Sequence, residues 1–177
     1  MNSIMSRGIA YVIDCVCVFA LFAVTQVVLF SPLRSLIGIT DDWFVSGVNT
    51  EIYTIATISI PVWLYFSLLE ASPWQATLGK RILRLTVADS ALDMRLGFSQ
   101  SLIRTIIKLL PWELAHLGNN LPQPIWYAED PGFRLAFVFS GLLLLLYVIV
   151  ICVNPKHQCI HDMLARTQVS PAKLKVG

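Results

Sequence analysis

Arg7 and Asp14 open the chain's chemistry. In the stretch SRGIAYVIDCVCVF (residues 6–19) they lie on one face of a helix, about 10 Å apart along its axis. Asp14 falls six residues into an otherwise apolar run. A carboxylate at mid-bilayer costs about 2.5–3.5 kcal/mol to insert, and such groups face a bundle interior or a water-filled cavity. Two roles answer that cost. The carboxyl can bind and release a proton or a cation, or it can pair with Arg104 or Arg7 and lock helices together. Arg7 reads either as a cytoplasmic anchor at the head of the first helix or as that partner.

The stretch FSQSLIRTIIKLLPWELAHLG (98–118) holds the densest polar matter in an apolar setting: Arg104, Lys108, Glu113 and His116, with Pro111 between them. Pro111 lacks an N–H and is expected to bend its helix, as is Pro61 in the second apolar run. Arg104, Glu113 and His116, together with Asp14 and Arg7, are candidates to line an ion route; they would equally suit a small polar core that specifies packing. His157, Cys159 and His161 alternate, but 158–166 reads as a short helix on which they diverge, so no metal site is expected. TLGKR (77–81) lacks the second glycine of a phosphate-binding loop. No nucleophile stands beside a base. The chain reads as a non-enzyme without a cofactor.

The elements that must carry these groups follow from composition. Of 177 residues, 56% are hydrophobic and 14% charged, against roughly a quarter charged in a soluble domain. This is an integral membrane protein, read as one all-α domain over 1–177 because no run is rich enough in Pro, Gly or Ser to act as a linker. A net charge of +2 gives no reason to expect nucleic acid. Spans of about 20 apolar residues fit 8–30, 52–70 and 133–153. The 98–118 stretch is either a fourth span or a helix lying in the interface. Basic residues decide for four spans: Lys80, Arg81, Arg84 and Arg95 between spans two and three, and Lys156, Arg166, Lys173 and Lys175 in the tail, then all lie on the cytoplasmic side with both termini. Asp14 interrupts what would be a signal-peptide core, so the first run is read as a retained span. The bilayer is one partner, and anionic headgroups are expected at Lys80, Arg81 and Arg84.

Beneath the four-span bundle a short β-pairing is expected. ILRLTVA (82–88) alternates as a strand does and ARTQVS (165–170) is compatible with one. Their pairing would bring Asp162 to Lys80 or Arg81, with Arg166 four residues on as a local alternative.

An early Arg and Asp, the element TLGKRILRLTVAD (77–89) and the late HQCIHDMLARTQV (157–169) together resemble the RDD family of bacterial membrane proteins. The matching positions are Arg7, Asp14, Gly79, Lys80, Arg81, Asp162 and Thr167. The resemblance runs from residue 7 to about 169 and departs at 89–97 and at Arg166, where a small residue is usual. It implies a small multispan protein of the bacterial inner membrane, with transport, cation/proton exchange included, among the expected activities. Four short helices enclose little volume, so a transporter of this size is expected to form a homo-oligomer. The alternative is an accessory or scaffold subunit of a larger membrane complex.

Overall fold

The structure, a computed structural model, describes residues 3–172; Lys173 and Lys175 of the basic tail lie outside the described residues. Its long helices follow the apolar runs. Helix α1 (Ser3–Thr25) continues through a π-helical turn, Gln26–Phe30, into α2 (Ser31–Leu36). Helix α3 (Gly47–Thr54) continues through a second π-helical turn, Ile55–Ser59, into α4 (Ile60–Glu70). Then come α5 (Leu78–Ile82), β1 (Leu85–Asp89), α6 (Phe98–Asn120), α7 (Leu135–Val153), α8 (Ile160–Leu164) and β2 (Thr167–Pro171). Among the described residues, three segments are long and apolar enough to cross a membrane: Ile4–Leu36, Gly47–Glu70 and Leu135–Val153.

The helix-internal prolines are accommodated locally. The first π-helical turn stands directly before Pro32, where the Ser31 N–H reaches back to Gln26 O. The second serves Pro61 in the same way, with the Ile60 N–H reaching back to Ile55 O. Pro111 leaves the Ile107 carbonyl without its helical donor, and the Tyr147 hydroxyl of α7 supplies one. The Pro111 carbonyl itself accepts from Ser140 at 2.7 Å.

The chain forms two compact units. One contains residues up to Val18, Trp63–Lys108 and the chain from Leu146 onward; the other contains Phe19–Val62 and Leu109–Leu145. In the second, Asn120 donates to Glu51 Oε2 at 2.8 Å and to Thr54 Oγ1 at 3.0 Å, and Ser59 donates to Glu113 Oε2 at 2.7 Å. Arg134 closes the end of α6 by donating to the carbonyls of Gly118 (3.0 Å) and Leu121 (2.8 Å).

In the first unit a local backbone pattern occurs twice, 82 residues apart. Gln75 and His157 have φ of 50° and 49°, and Arg84 and Arg166 have φ of 53° and 51°. Between them α5 and α8 are preceded by Thr77 and Cys159, both with ψ of 170°, and followed by Leu83 and Ala165 with closely similar φ. The turn bonds correspond: Gln75 N to Ser72 O and His157 N to Asn154 O, Arg84 N to Arg81 O and Arg166 N to Met163 O. Each elbow runs into a strand, and β1 and β2 pair antiparallel with Val87 opposite Val169. Those two valines are also 82 residues apart, so a local two-fold axis passes through their pair. The expected strand pairing is therefore present, as the join of two repeated elbows. Ala10, Leu85, Val87, Leu96 and Val169 form the apolar core around it.

Tyr147→Phe should lower stability by about 1–3 kcal/mol, the cost of an unsatisfied buried carbonyl. In a Pro111→Ala background, whose new N–H can bond Ile107 O, the same change should cost much less. Unfolding midpoints of the four proteins in mild detergent form the cycle; equal costs in both backgrounds would refute the compensation.

A buried ionic chain as candidate functional site

Five ionic groups of the first unit follow one another with alternating sign. Lys80 Nζ meets Glu70 Oε1 at 2.5 Å; Glu70 Oε2 accepts from Arg104 Nη1 at 2.6 Å; Arg104 Nη2 donates to Asp162 Oδ1 at 2.8 Å; and Arg7 Nη1 stands 4.0 Å from Asp162 Oδ2. Glu70 is wholly buried, and Arg104 and Asp162 are 2% exposed.

Local structure fixes each group. Glu70 ends α4 and Lys80 lies in α5, whose left-handed elbow turns the chain back. Asp162 lies in the first turn of α8, where its Oδ2 accepts from the Cys159 N–H at 3.3 Å. Arg104 reaches two partners from α6, and Thr167 Oγ1 lies 3.2 Å from its Nε. Arg7 donates to the carbonyls of His157 and Val169, the latter at 2.5 Å. The two arginines reach the elbows from elsewhere in the chain: Arg7, on α1, binds the second elbow, and Arg104, on α6, binds both Asp162 of the second and the Glu70 that precedes the first.

Asp14 is buried and held by neutral donors. Its Oδ2 accepts from Thr77 Oγ1 at 2.5 Å, and its Oδ1 from the Gly79 N–H at 2.8 Å and Tyr65 OH at 3.1 Å. Neither arginine considered for it is its anchor, since both are engaged along the chain of ions. Glycine is required at position 79, where a Cβ would collide with the Ala10 carbonyl and come within 3.0 Å of Asp14 Cγ.

Two expectations about partners change. Asp162 meets Arg104 rather than Lys80 or Arg81, because the elbow turns it inward. Lys80, expected among headgroups, is instead buried against Glu70. Arg81 remains outside and stacks over Trp74 at 4.1 Å. His157, Cys159 and His161 diverge: the first offers its carbonyl to Arg7, the second begins α8, and the third packs on the Tyr147 ring at 5.9 Å. Glu113 and His116 belong to the second unit, where His116 Nδ1 is 3.7 Å from Glu113 Oε2. Sequence reasoning missed Glu70, Thr77 and Tyr65. For Glu70 the signal was present: a lone carboxylate closing the apolar run IPVWLYFSLLE.

Outside the apolar segments, burial draws Lys80 below the usual lysine value against the pull of Glu70. Burial pushes His161 down to about 3, leaving a neutral imidazole. Asp162 lies at about 2 although burial opposes its ionisation, because Arg104 outweighs that cost.

Apolar spanning segments with charged side chains turned inward define an integral membrane protein organised around an ionic core. A family model described as the RDD family matches residues 1–166, and the chain belongs to that family. No curated protein and no solved structure matches it.

Acid should unfold this site in two windows. Below pH 6.5 the unfolded chain takes up a proton that folded His161 refuses down to about 3, so stability falls with pH by up to about 1.4 kcal/mol per unit. Asp162 adds a second loss as pH drops from 3.8 towards about 2. His161→Gln should flatten the stability profile between pH 6.5 and 4, read by thermal midpoint, and keep the lower limb. An unchanged upper limb would sink the assignment.

Proposed function

We propose that this protein is a four-span transporter or exchanger for a small ion or small solute in the bacterial inner membrane, with both termini cytoplasmic. On this reading it is not an enzyme, and cation/proton exchange is among the reactions it would serve. The observation that carries the proposal is the orientation of α6. Arg104 is buried and Lys108 nearly so, while Ile103, Ile106, Leu110 and Trp112 are exposed at 36% or more. A helix lying in the interface would turn its cations to water and its apolar face to lipid and protein. Here the apolar residues are outward and the cations inward, the pattern of a helix surrounded by hydrocarbon.

The partners of α6 support transport over mere anchoring. In each unit, taken alone, its polar side chains meet the 47–70 segment: Arg104 meets Glu70 in one, and Glu113 and Asn120 meet Ser59 and Glu51 in the other. Ionisable groups held inside a membrane mark ion pathways and proton relays. Asp14 is the coupling carboxylate on this reading, with Arg7, Arg104, Glu113 and His116 along the route. Function as a homo-oligomer follows from the small volume four helices enclose.

Purified protein in proteoliposomes with an imposed pH gradient tests the proposal, with monovalent cations and small solutes offered in turn. Wild type should dissipate the gradient, and Asp14→Asn should lower the flux at least tenfold while keeping its size-exclusion profile. No flux with any solute would end the transport reading. Labelling cysteines placed in the 121–134 loop tests the fourth span: they should react only from the side opposite the termini.

A further inference from the structure

Asp14 is closed to any incoming ion by the first elbow (75–84). The carboxylate is 1% exposed and both its oxygens are engaged: Oδ1 accepts from the Gly79 N–H at 2.8 Å and Tyr65 OH at 3.1 Å, and Oδ2 from Thr77 Oγ1 at 2.5 Å. The ionisable groups that act on it are Tyr65 from α4, Lys80 from α5 and Lys108 from α6, with Cys15 beside it on α1. Hydrogen bonds to an ionised acceptor are roughly twice as strong as neutral ones. A proton on the carboxylate removes that advantage, and a cation displaces the donors outright. Thr77 and Gly79 both belong to the first elbow, so occupation of Asp14 and closure of that elbow on α1 oppose each other.

The two elbows, alike in backbone, are held by unlike means. In the second, Asp162 caps the start of its own helix and pairs with Arg104, while Arg7 binds the His157 and Val169 carbonyls. The first carries Lys80 where the second carries Asp162, so the Gly79 N–H takes its carboxylate from α1 instead. A further tie is Lys80 to Glu70 Oε1 at 2.5 Å. Outward, Leu78, Arg81 and Ile82 are exposed, and left-handed residues, Gln75 and Arg84, bound the segment.

Lys80 cannot leave Glu70 without stripping a buried carboxylate of a donor. A replacement stands by. Lys108 Nζ lies 3.8 Å from the same Oε1, over the Phe66 ring, and among the described residues it meets no hydrogen-bond acceptor. A shift of about 1 Å brings it within bonding distance. Charged or neutral, its N–H groups can donate to the oxygen Lys80 vacates.

We propose that the first elbow is a gate over Asp14. It lifts from α1 when the carboxylate takes a proton or a cation, and Lys108 replaces Lys80 on Glu70 while it is open. That the bound ion then crosses the membrane rests on the transport reading above; the gate does not.

Hydrogen exchange of the purified full chain in mild detergent reads the gate, with peptides from the two elbows followed separately. In Asp14→Asn, which keeps the shape and removes the charge, 78–83 should exchange about tenfold faster than in wild type, and 160–165 should not change. Lys108→Met should do the opposite at the first elbow, slowing it about threefold, because opening then leaves Glu70 short of a donor. A lysine that served packing alone would loosen the unit when replaced. An equal change in both elbows of Asp14→Asn, or none, overturns the gate. Unchanged or faster exchange of 78–83 in Lys108→Met overturns the replacement of Lys80, and the gate with it. Both expected responses without flux of any ion leave the gate standing and end the transport reading. Flux in proteoliposomes with neither response does the reverse.

Discussion

The contact between Glu70 and Arg104 carries the heaviest physical constraint in the first unit. Each ion, taken from water, costs several kcal/mol, and attraction between them offsets this only when geometry is close and the remaining donors and lone pairs are satisfied. The surroundings meet that demand in sequence. Glu70 uses its second oxygen for Lys80; Arg104 spends its remaining N–H groups on Asp162 and Thr167; Asp162 spends its second oxygen on the start of α8. Removing any one link strands its neighbour in a medium that solvates ions poorly. Such a chain therefore acts as a unit, and the short helices exist to aim its members.

That aiming explains the repeated elbow. A helix of five residues has little stability of its own, so its direction must come from its ends. Each elbow is fixed at entry by a residue with left-handed φ, at exit by a left-handed arginine, and beyond by a strand paired with its counterpart. The two elbows then diverge in chemistry at equivalent positions: Lys80 in one, Asp162 in the other. A symmetric scaffold thereby presents opposite charges inward, which is what an alternating chain of ions requires. Outward, both present an apolar residue, Ile82 and Leu164, each 65% exposed.

Much of this was legible in the sequence, and the remainder had physical reasons to be hidden. Apolar length identified the three clear segments, and period-two alternation found the strand pairing to within a few residues, because both signals are local. The repeat itself was overlooked. Pro73, Arg84 and Val87 recur as Pro155, Arg166 and Val169, but three identities in a short stretch are easily lost when Lys80 is answered by Asp162 and Arg81 by Met163. Partner choice was the least legible. Asp14 is held by Thr77, Gly79 and Tyr65, all more than 50 residues away, and two of the three donors are uncharged side chains with no distinctive pattern. A search for salt bridges by charge alone looks past a hydroxyl and a backbone N–H.

On the four-span reading proposed above, the inversion of α6 follows from the solvent. In water a helix buries apolar residues because their hydration is unfavourable. In hydrocarbon that force vanishes between helices, and what drives a face inward is the cost of leaving a polar group unsatisfied. The Arg104 stripe is buried, and the exposed positions of the helix beyond its first turn are apolar. Ser101 and Thr105, small, polar and wholly buried, lie beside the arginine on α6, which reaches Glu70 at 2.6 Å. Buried charge and helix placement are thus one requirement: the ionic contact is satisfied only where the two helices stand within reach of each other through Arg104 and Glu70, and that contact is what holds them there.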